Sequence, residues 1–260
     1  MNNKISIILP TYNEKDNIIP LIDELFGYLN NKNFEIIVVD DDSPDETWKV
    51  VEKKSKECHN VHLVRRQNKR GLTSALNDGI SKSTGDIVVW MDCDFQQPPS
   101  VVPQLVEKVE NGFDAAIGSR YIGDGKDLRY NKTVDHKKIT LIHTYLSLAI
   151  CRFTAFLFSS SQTDWTSGFI AIRRDIFNRI DRFGDYGEYF MYLIHHLENS
   201  DYRLIEIPYE LGVRTHGDSK TAVGYIGMLA KGTKYVWAVF RLKVLDIVYY
   251  RIYKKKSKGY

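Results

Sequence analysis

Apolar runs and helix-spaced stretches alternate through the first 120 residues of the chain. Strand-like runs fall at 5–9, 34–39, 61–64, 86–91 and 114–118, and they are nearly continuous in Ile, Val and Leu rather than alternating with polar residues. That pattern predicts strands buried on both faces, as in a parallel sheet. Between them, apolar residues recur every three or four positions over roughly 16–30, 44–57, 72–83 and 99–111, which predicts helices. Ser43 followed by Pro44 reads as the cap and first position of the second helix. Repeated β-α-β units with short connections give an α/β class and a mostly parallel sheet with helices on both faces.

After Arg120 the rhythm breaks. A polar loop, "YIGDGKDLRYNKTVD", leads into a long amphipathic stretch at 136–160, followed by a short strand near 169–173, helical spacing to about 199 and the strand-like "YRLIEIPYELGVR". A basic helical tail completes the chain. With no internal repeat and no low-complexity linker, the expected organisation is one domain over 1–220 and a basic amphipathic, membrane-associating tail over 221–260.

Composition is that of a folded protein, with 43% hydrophobic and 27% charged residues. Its three cysteines, Cys58, Cys93 and Cys151, are too few and too scattered for a disulfide framework or a zinc site, which points to a reducing compartment. With no apolar leader ahead of Thr11, a cytoplasmic protein is expected. Net charge changes the picture. Residues 214–260 carry +9, which leaves −6 on the first 213 residues against +3 for the whole chain. The cations of the tail are interleaved with Tyr, Trp, Ile, Leu and Val, so they suit an anionic membrane surface better than a nucleic acid, which the acidic body would repel. No segment clearly spans a bilayer: the best lookalike, 139–163, has Arg152 in its middle and His143 near one end, and reads as an interfacial or packed helix.

In open parallel sheets, ligands bind at the carboxyl ends of the strands. Here those ends carry "PTYNE", "DDDSPDET", "MDCDFQQPP" and "GSRY". Within "MDCDFQQPP", extended backbone would put Asp92 and Asp94 on one side, at a solvent-accessible strand end, and Cys93 on the other. Two neighbouring carboxylates suit a hard divalent cation, and an Asp-rich turn ahead of two prolines is the competing reading. Asp41 or Asp42 could accept hydrogen bonds from a base or ribose, while Asp40 and its neighbours also serve to start the next helix. No G-x-G-x-x-G follows the first strand and no P-loop occurs.

The segments "ILPTYNE", "IIVVDDDSPDET", "GLTSALNDGISKSTGDIVVWMDCDFQQPP", "GSRY", "DWTSGF" and "HGDSK" stand in the order found in family 2 glycosyltransferases. The combination most resembles their dolichyl-phosphate or polyprenyl-phosphate mannosyltransferase branch, over about residues 4–220. The resemblance implies a GT-A fold with a Rossmann-like sheet, and inverting transfer of a hexose from a nucleotide sugar to a polyprenyl phosphate. It further implies that Pro10, Tyr12, Glu14, Val39, Asp41, Asp92 and Cys93 line the nucleotide site, and that Asp92, Asp94 and Gln96 hold Mg²⁺ or Mn²⁺. Arg120, Arg214 and Lys220 would act on phosphate alongside Asp94, with Asp164, Ser167 and Ser219 at the sugar and acceptor. Two departures stand out: the family's D-P-x-S-G reads Asp164-Trp165-Thr166-Ser167-Gly168, and its G-E-S-K reads Gly217-Asp218-Ser219-Lys220.

A phosphate acceptor is already ionised at neutral pH and needs cations rather than a general base. A hydroxyl acceptor would need a base, for which Asp185 and Glu188 are the candidates. Arg129 is a weaker candidate for a phosphate-binding cation, and His195 and His196, on different helix faces, read as packing or surface residues. The implied partners are a nucleotide-sugar donor, GDP-mannose or alternatively UDP-glucose, a polyprenyl or dolichyl phosphate, and a membrane surface, with a separate membrane subunit left open. A non-catalytic nucleotide- or nucleic-acid-binding protein would leave the paired carboxylates without a purpose.

Overall fold

In a computed structural model of the protein, residues 3–129, 137–179, 187–215 and 224–249 are described. The first half follows the predicted alternation: β1 (Ile5–Thr11), α1 (Lys15–Tyr28), β2 (Phe34–Asp40), α2 (Thr47–Glu57), β3 (Val61–Arg65), α3 (Leu72–Lys82), β4 (Ile87–Trp90), α4 (Val102–Glu110) and β5 (Ala115–Ser119). Beyond it come the two-residue β6 (Lys126–Asp127), then α5 (Lys137–Phe158), β7 (Ile170–Arg173), α6 (Tyr189–Asn199), β8 (Leu204–Pro208), β9 (Glu210–Leu211) and α7 (Gly224–Tyr249).

Seven strands form one sheet in the order β3-β2-β1-β4-β7-β5-β8, and β6 pairs separately with β9. All neighbours in the large sheet are parallel except β7, which runs antiparallel to both β4 and β5. This reversal positions the site. Ile170, the first residue of β7, pairs with Trp90, the last of β4, so residues 164–168 arrive at the same sheet edge as residues 91–97. A four-residue apolar strand carries no directional signal, so the hydrophobic pattern could not predict the reversal.

The pleat divides the core. Ile5, Ile7 and Leu9 of β1 face a layer built from α1, Val51 of α2, and α4, whereas Ile8 faces Ala75, Leu76 and Ile80 of α3. That second layer continues through α6 to Cys151 of α5 and to Ala238, Val239 and Leu242 of α7, all buried. Both faces of the central strands are therefore covered, as their unbroken apolar runs require.

The start of α2 differs from expectation. Ser43 does not cap a helix at Pro44; its N–H and hydroxyl both donate to the Asp40 carboxylate, at 2.9 and 2.6 Å. Asp45 instead accepts the Thr47 N–H at 2.9 Å, and α2 begins three residues later than predicted. The short side chain of Asp40 offered the backbone a turn that competes with the helix.

Helix α7 packs on α5 and α6. Lys243 Nζ donates to the Leu157 carbonyl at 3.0 Å, and His195 Nε2 lies 2.7 Å from Asp246 Oδ1. His195 thus faces inward, against Phe158 and Asp246, and is a packing residue. The outward sides of α5 and α7 leave large apolar groups in solvent: Tyr145, Leu146, Phe153 and Phe156 on α5, and Val236, Trp237, Phe240, Val244 and Leu245 on α7. Among the described residues one helical segment, Leu141–Phe158, is long and apolar enough to cross a membrane. The cationic cluster at 251–258 lies outside the described residues.

Candidate active site

At the carboxyl edge of the sheet, β1 ends in Thr11 and then Glu14, which is buried where α1 begins. Glu14 Oε2 accepts the Asn17 side-chain amide at 2.7 Å, and Oε1 accepts Arg214 Nη1 at 3.2 Å. At the end of β2, Asp40 is fully buried and spends its carboxylate on Thr11 and Ser43, so it serves the turn. Asp41 does different work. Its Oδ1 accepts Arg66 Nε at 2.7 Å and also Nη2, and its Oδ2 accepts the Gly71 N–H at 3.0 Å. Gly71 has φ +126°, outside the comfortable range of other residues, and this conformation lets the backbone approach Asp41 as α3 begins. Beside this cluster, the Arg70 guanidinium lies 4.8 Å from the Tyr12 ring, while Asp42 turns outward to Arg65 at 2.6 Å.

In the segment after β4 the two aspartates differ in burial. The strand ends at Trp90 and the chain bends over residues 93–97, so the alternation of an extended chain does not persist to residue 94. Cys93 is buried against β1, its thiol donating to the Pro10 carbonyl at 3.5 Å. Asp92 is exposed, but Asp94 is only 3% exposed, so the expectation of two solvent-accessible carboxylates holds for Asp92 alone. Asp94 Oδ1 accepts the Gln96 N–H at 3.0 Å, and Oδ2 lies 2.6 Å from Arg214 Nη2. Burial pushes the Asp94 carboxyl above the ordinary carboxylate range, against the pull of Arg214 and with a further push from nearby Glu14.

Arg214 reaches this position from β8 and β9. Residues 212–215 run along the Asp94 loop: the Gly212 N–H donates to Gln96 O at 2.8 Å, the Gln96 side-chain amide to Gly212 O at 3.2 Å, and the Thr215 N–H to Asp94 O at 3.2 Å. Gln97 ties the same loop to the β7 side, accepting the Asp92 N–H and donating to Ser167 O at 3.1 Å.

Arg120 and Asp164 occupy a different position from the one expected of a phosphate-binding cation and a sugar-pocket acid. Both are buried, and they bind each other: Nε to Oδ2 at 2.7 Å and Nη2 to Oδ1 at 2.6 Å, with the Arg120 N–H also on Oδ2 at 3.0 Å. Burial alone would lower the Arg120 pKa, but Asp164 outweighs it and holds the group charged well above its ordinary value. Glu206 of β8 supports the other side, accepting the Thr163 and Asp164 N–H groups at 3.0 and 2.9 Å. Trp165, the departure from the usual proline, is fully buried, stacked on Phe158, with its indole N–H on Gln162 O at 3.0 Å. The substitution is therefore absorbed in the core. Arg129 forks onto Asp127, two residues away, and Val39 is a core residue. Glu188 is buried at the start of α6; Asp185, Ser219 and Lys220 lie outside the described residues.

Residues 6–181 match the family model described as "Glycosyl transferase family 2". The chain belongs to glycosyl transferase family 2. This glycosyltransferase is 34% identical over 253 residues to a protein of Pyrococcus furiosus named dolichol-phosphate mannosyltransferase, covering 94% of the chain and 68% of the relative. A Saccharomyces cerevisiae protein of the same name is 30% identical over 233 residues, covering 85% of the chain and 82% of the relative. Among solved structures, glucosyl-3-phosphoglycerate synthase from Mycobacterium tuberculosis, crystallised with Mn²⁺, UDP and phosphoglyceric acid, superposes with a TM-score of 0.65 at 20% identity, over 92% of this chain and 78% of that one. The GT-A architecture implied by the motifs is the one observed.

Sequence reasoning missed Arg66, the pairing of Glu14 with Arg214, and Glu206. Arg66 had a signal, since it follows the last residue of a strand at the ligand-binding edge. Glu206 had none, because an acidic residue inside an otherwise apolar strand gives no hint of the backbone it supports.

Proposed function

We propose that this glycosyltransferase moves a hexose, with inversion, from a nucleotide sugar to the phosphate of a polyprenyl or dolichyl phosphate, with GDP-mannose as donor. The observation that carries the reading is the meeting of Glu14, Asp94 and Arg214 at the carboxyl edge of the sheet, in a chain whose relatives bear the name dolichol-phosphate mannosyltransferase.

The residues present suit a divalent cation. Asp92, Asp94 and Gln96 offer hard oxygen donors, and the buried Asp94 carboxylate already carries a cation, Arg214. When bound, Mg²⁺ or Mn²⁺ supplies charge stabilisation to the departing diphosphate. The chain's own groups do the rest. Asp41, held by Arg66 and Gly71, presents a fixed polar wall to the nucleoside, and Tyr12 with Arg70 forms the adjoining one. Arg120 and Asp164 act as a positioning brace that fixes the 164–168 turn, with Ser167 at the sugar end. Arg214, together with Lys220, supplies positive charge to phosphate oxygens as charge develops. An acceptor phosphate with second pKa about 6 is largely ionised at neutral pH, so no base is required of the protein.

The donor is water-soluble and the acceptor phosphate sits at a bilayer, so the enzyme must work at an interface. The exposed apolar ridge of α5 and α7, Phe156 and Trp237 among its members, together with the basic tail supports peripheral attachment at the cytoplasmic face. A thermal-shift panel tests the donor side: GDP with Mn²⁺ should raise the unfolding temperature more than UDP, ADP or Mn²⁺ alone. If no nucleoside diphosphate raises it, the donor reading is wrong.

A further inference from the structure

Arg214 occupies the place where a cation is needed. Its Nη2 lies 2.6 Å from Asp94 Oδ2 and its Nη1 3.2 Å from Glu14 Oε1, so one guanidinium joins two buried carboxylates that would otherwise repel each other. Resting on the reading of Asp94 as a metal ligand, we infer that Arg214 is the built-in counter-cation of the ligand-free site, and that a divalent ion must displace it, freeing Arg214 for phosphate.

Three features support this. A metal ligated by Asp94 would share its carboxylate with the guanidinium, and two cations there repel each other. The displacement needs only a side-chain swing. Residues 212–215 are held to the Asp94 loop by the Gly212, Gln96 and Thr215 hydrogen bonds, none of which involves the guanidinium. Arg214 is also the partly exposed member of the trio, 18% against 4% and 8% for the Asp94 and Glu14 side chains, so it is the group with room to leave. A strap fixed by its backbone and a long cationic side chain at its end together give a device that exchanges partners. Without metal the carboxylates hold Arg214, and with metal and diphosphate bound the phosphates hold it. Metal loading thereby becomes linked to capture of the phosphate groups.

The test is Mn²⁺ binding to the full-length protein without nucleotide, followed by the loss of the free-ion electron paramagnetic resonance signal. Arg214→Met, which removes the competing charge but keeps much of the side-chain length, should bind Mn²⁺ roughly tenfold more tightly than the wild type, the worth of one partly buried ion pair. Arg214→Lys, which keeps a charge but cannot fork onto two carboxylates, should fall between them. With GDP present the advantage of Arg214→Met should shrink or reverse, because the variant lacks the cation that the diphosphate would capture. Equal or weaker Mn²⁺ binding by a folded Arg214→Met protein overturns the inference. Asp94→Asn separates the two levels: if it abolishes Mn²⁺ binding while Arg214→Met gains nothing, only the displacement is wrong. If Asp94→Asn binds Mn²⁺ as well as the wild type, the metal assignment falls and the displacement with it.

Discussion

Asp164→Asn preserves the shape of the brace while removing its negative charge. In the folded protein Arg120 is 5% exposed, with two of its guanidinium nitrogens on Asp164 at 2.7 and 2.6 Å. Removing one partner of a buried pair costs about 3–5 kcal/mol, because the surviving charge is left without compensation in a poorly solvated place. Asp127 Oδ2, 3.7 Å from Arg120 Nη1, offsets part of this, and asparagine keeps one acceptor, so a loss near the lower end, about 3 kcal/mol, is expected. For a chain of this size that corresponds to a fall of roughly 6–12 °C in unfolding temperature, read by circular dichroism at 222 nm. Replacing both partners by apolar residues, Arg120→Met with Asp164→Leu, should recover most of the loss, since neither charge of the pair then remains and buried Asp127 keeps Arg129 as its partner. The Arg120 N–H would still lack its acceptor, at a cost of about 1 kcal/mol or more. A fall of less than about 3 °C for Asp164→Asn, equivalent to about 1 kcal/mol, would refute the assignment of this pair as a buried structural brace.

Other variants probe the rest of the account. Asp94→Asn should abolish transfer while leaving the unfolding temperature within a few degrees of wild type, because Glu14 retains Arg214; activity retained in excess chelator would remove the metal from the account. At the opposite edge of the sheet, burial works against the Glu35 carboxylate, but hydrogen bonds from Lys4, Ser6 and Thr84 hold its pKa down at about 2. Its contribution is therefore full above the ordinary carboxylate pKa and is lost as pH falls towards 2, so Glu35→Gln should flatten the loss of stability across that acid range. A wild-type slope in the variant would disprove it. Trp237→Ser with Phe240→Ser, both on the exposed face of α7, should weaken co-sedimentation with anionic liposomes and leave nucleotide binding intact. High salt should reduce the remaining binding. Using the chain alone in that assay also asks whether a separate membrane subunit is needed.

The sheet was legible because its strands are buried on both faces, which leaves unbroken apolar runs. Its edge was legible because acidic residues at three strand ends with an Arg at a fourth are more than independent turns require, although Asp40 does serve a turn. What stayed hidden depends on long-range geometry. The reversal of β7 decides that Ser167 meets the Asp94 loop, yet nothing in "FIAIR" marks its direction. The type of residue 120 was readable, but its partner was not: an arginine at a strand end reads as a phosphate ligand until an aspartate 44 residues later is found filling its fork. Likewise the extended-chain argument for Asp92 and Asp94 failed because the strand ends at Trp90 and the chain bends from residue 93, a boundary the apolar run does not mark.

The central claim is transfer to a lipid phosphate, and its most direct measurement is product analysis with purified full-length protein, labelled GDP-mannose, Mn²⁺ and a polyprenyl phosphate in anionic vesicles. The expected result is a mannosyl phosphate lipid of inverted anomeric configuration, formed by the wild type, absent with chelator and with Asp94→Asn, and not formed when the corresponding polyprenol replaces its phosphate. Label transferred to the polyprenol but not to the phosphate, or a product that retains the donor's configuration, would contradict the account.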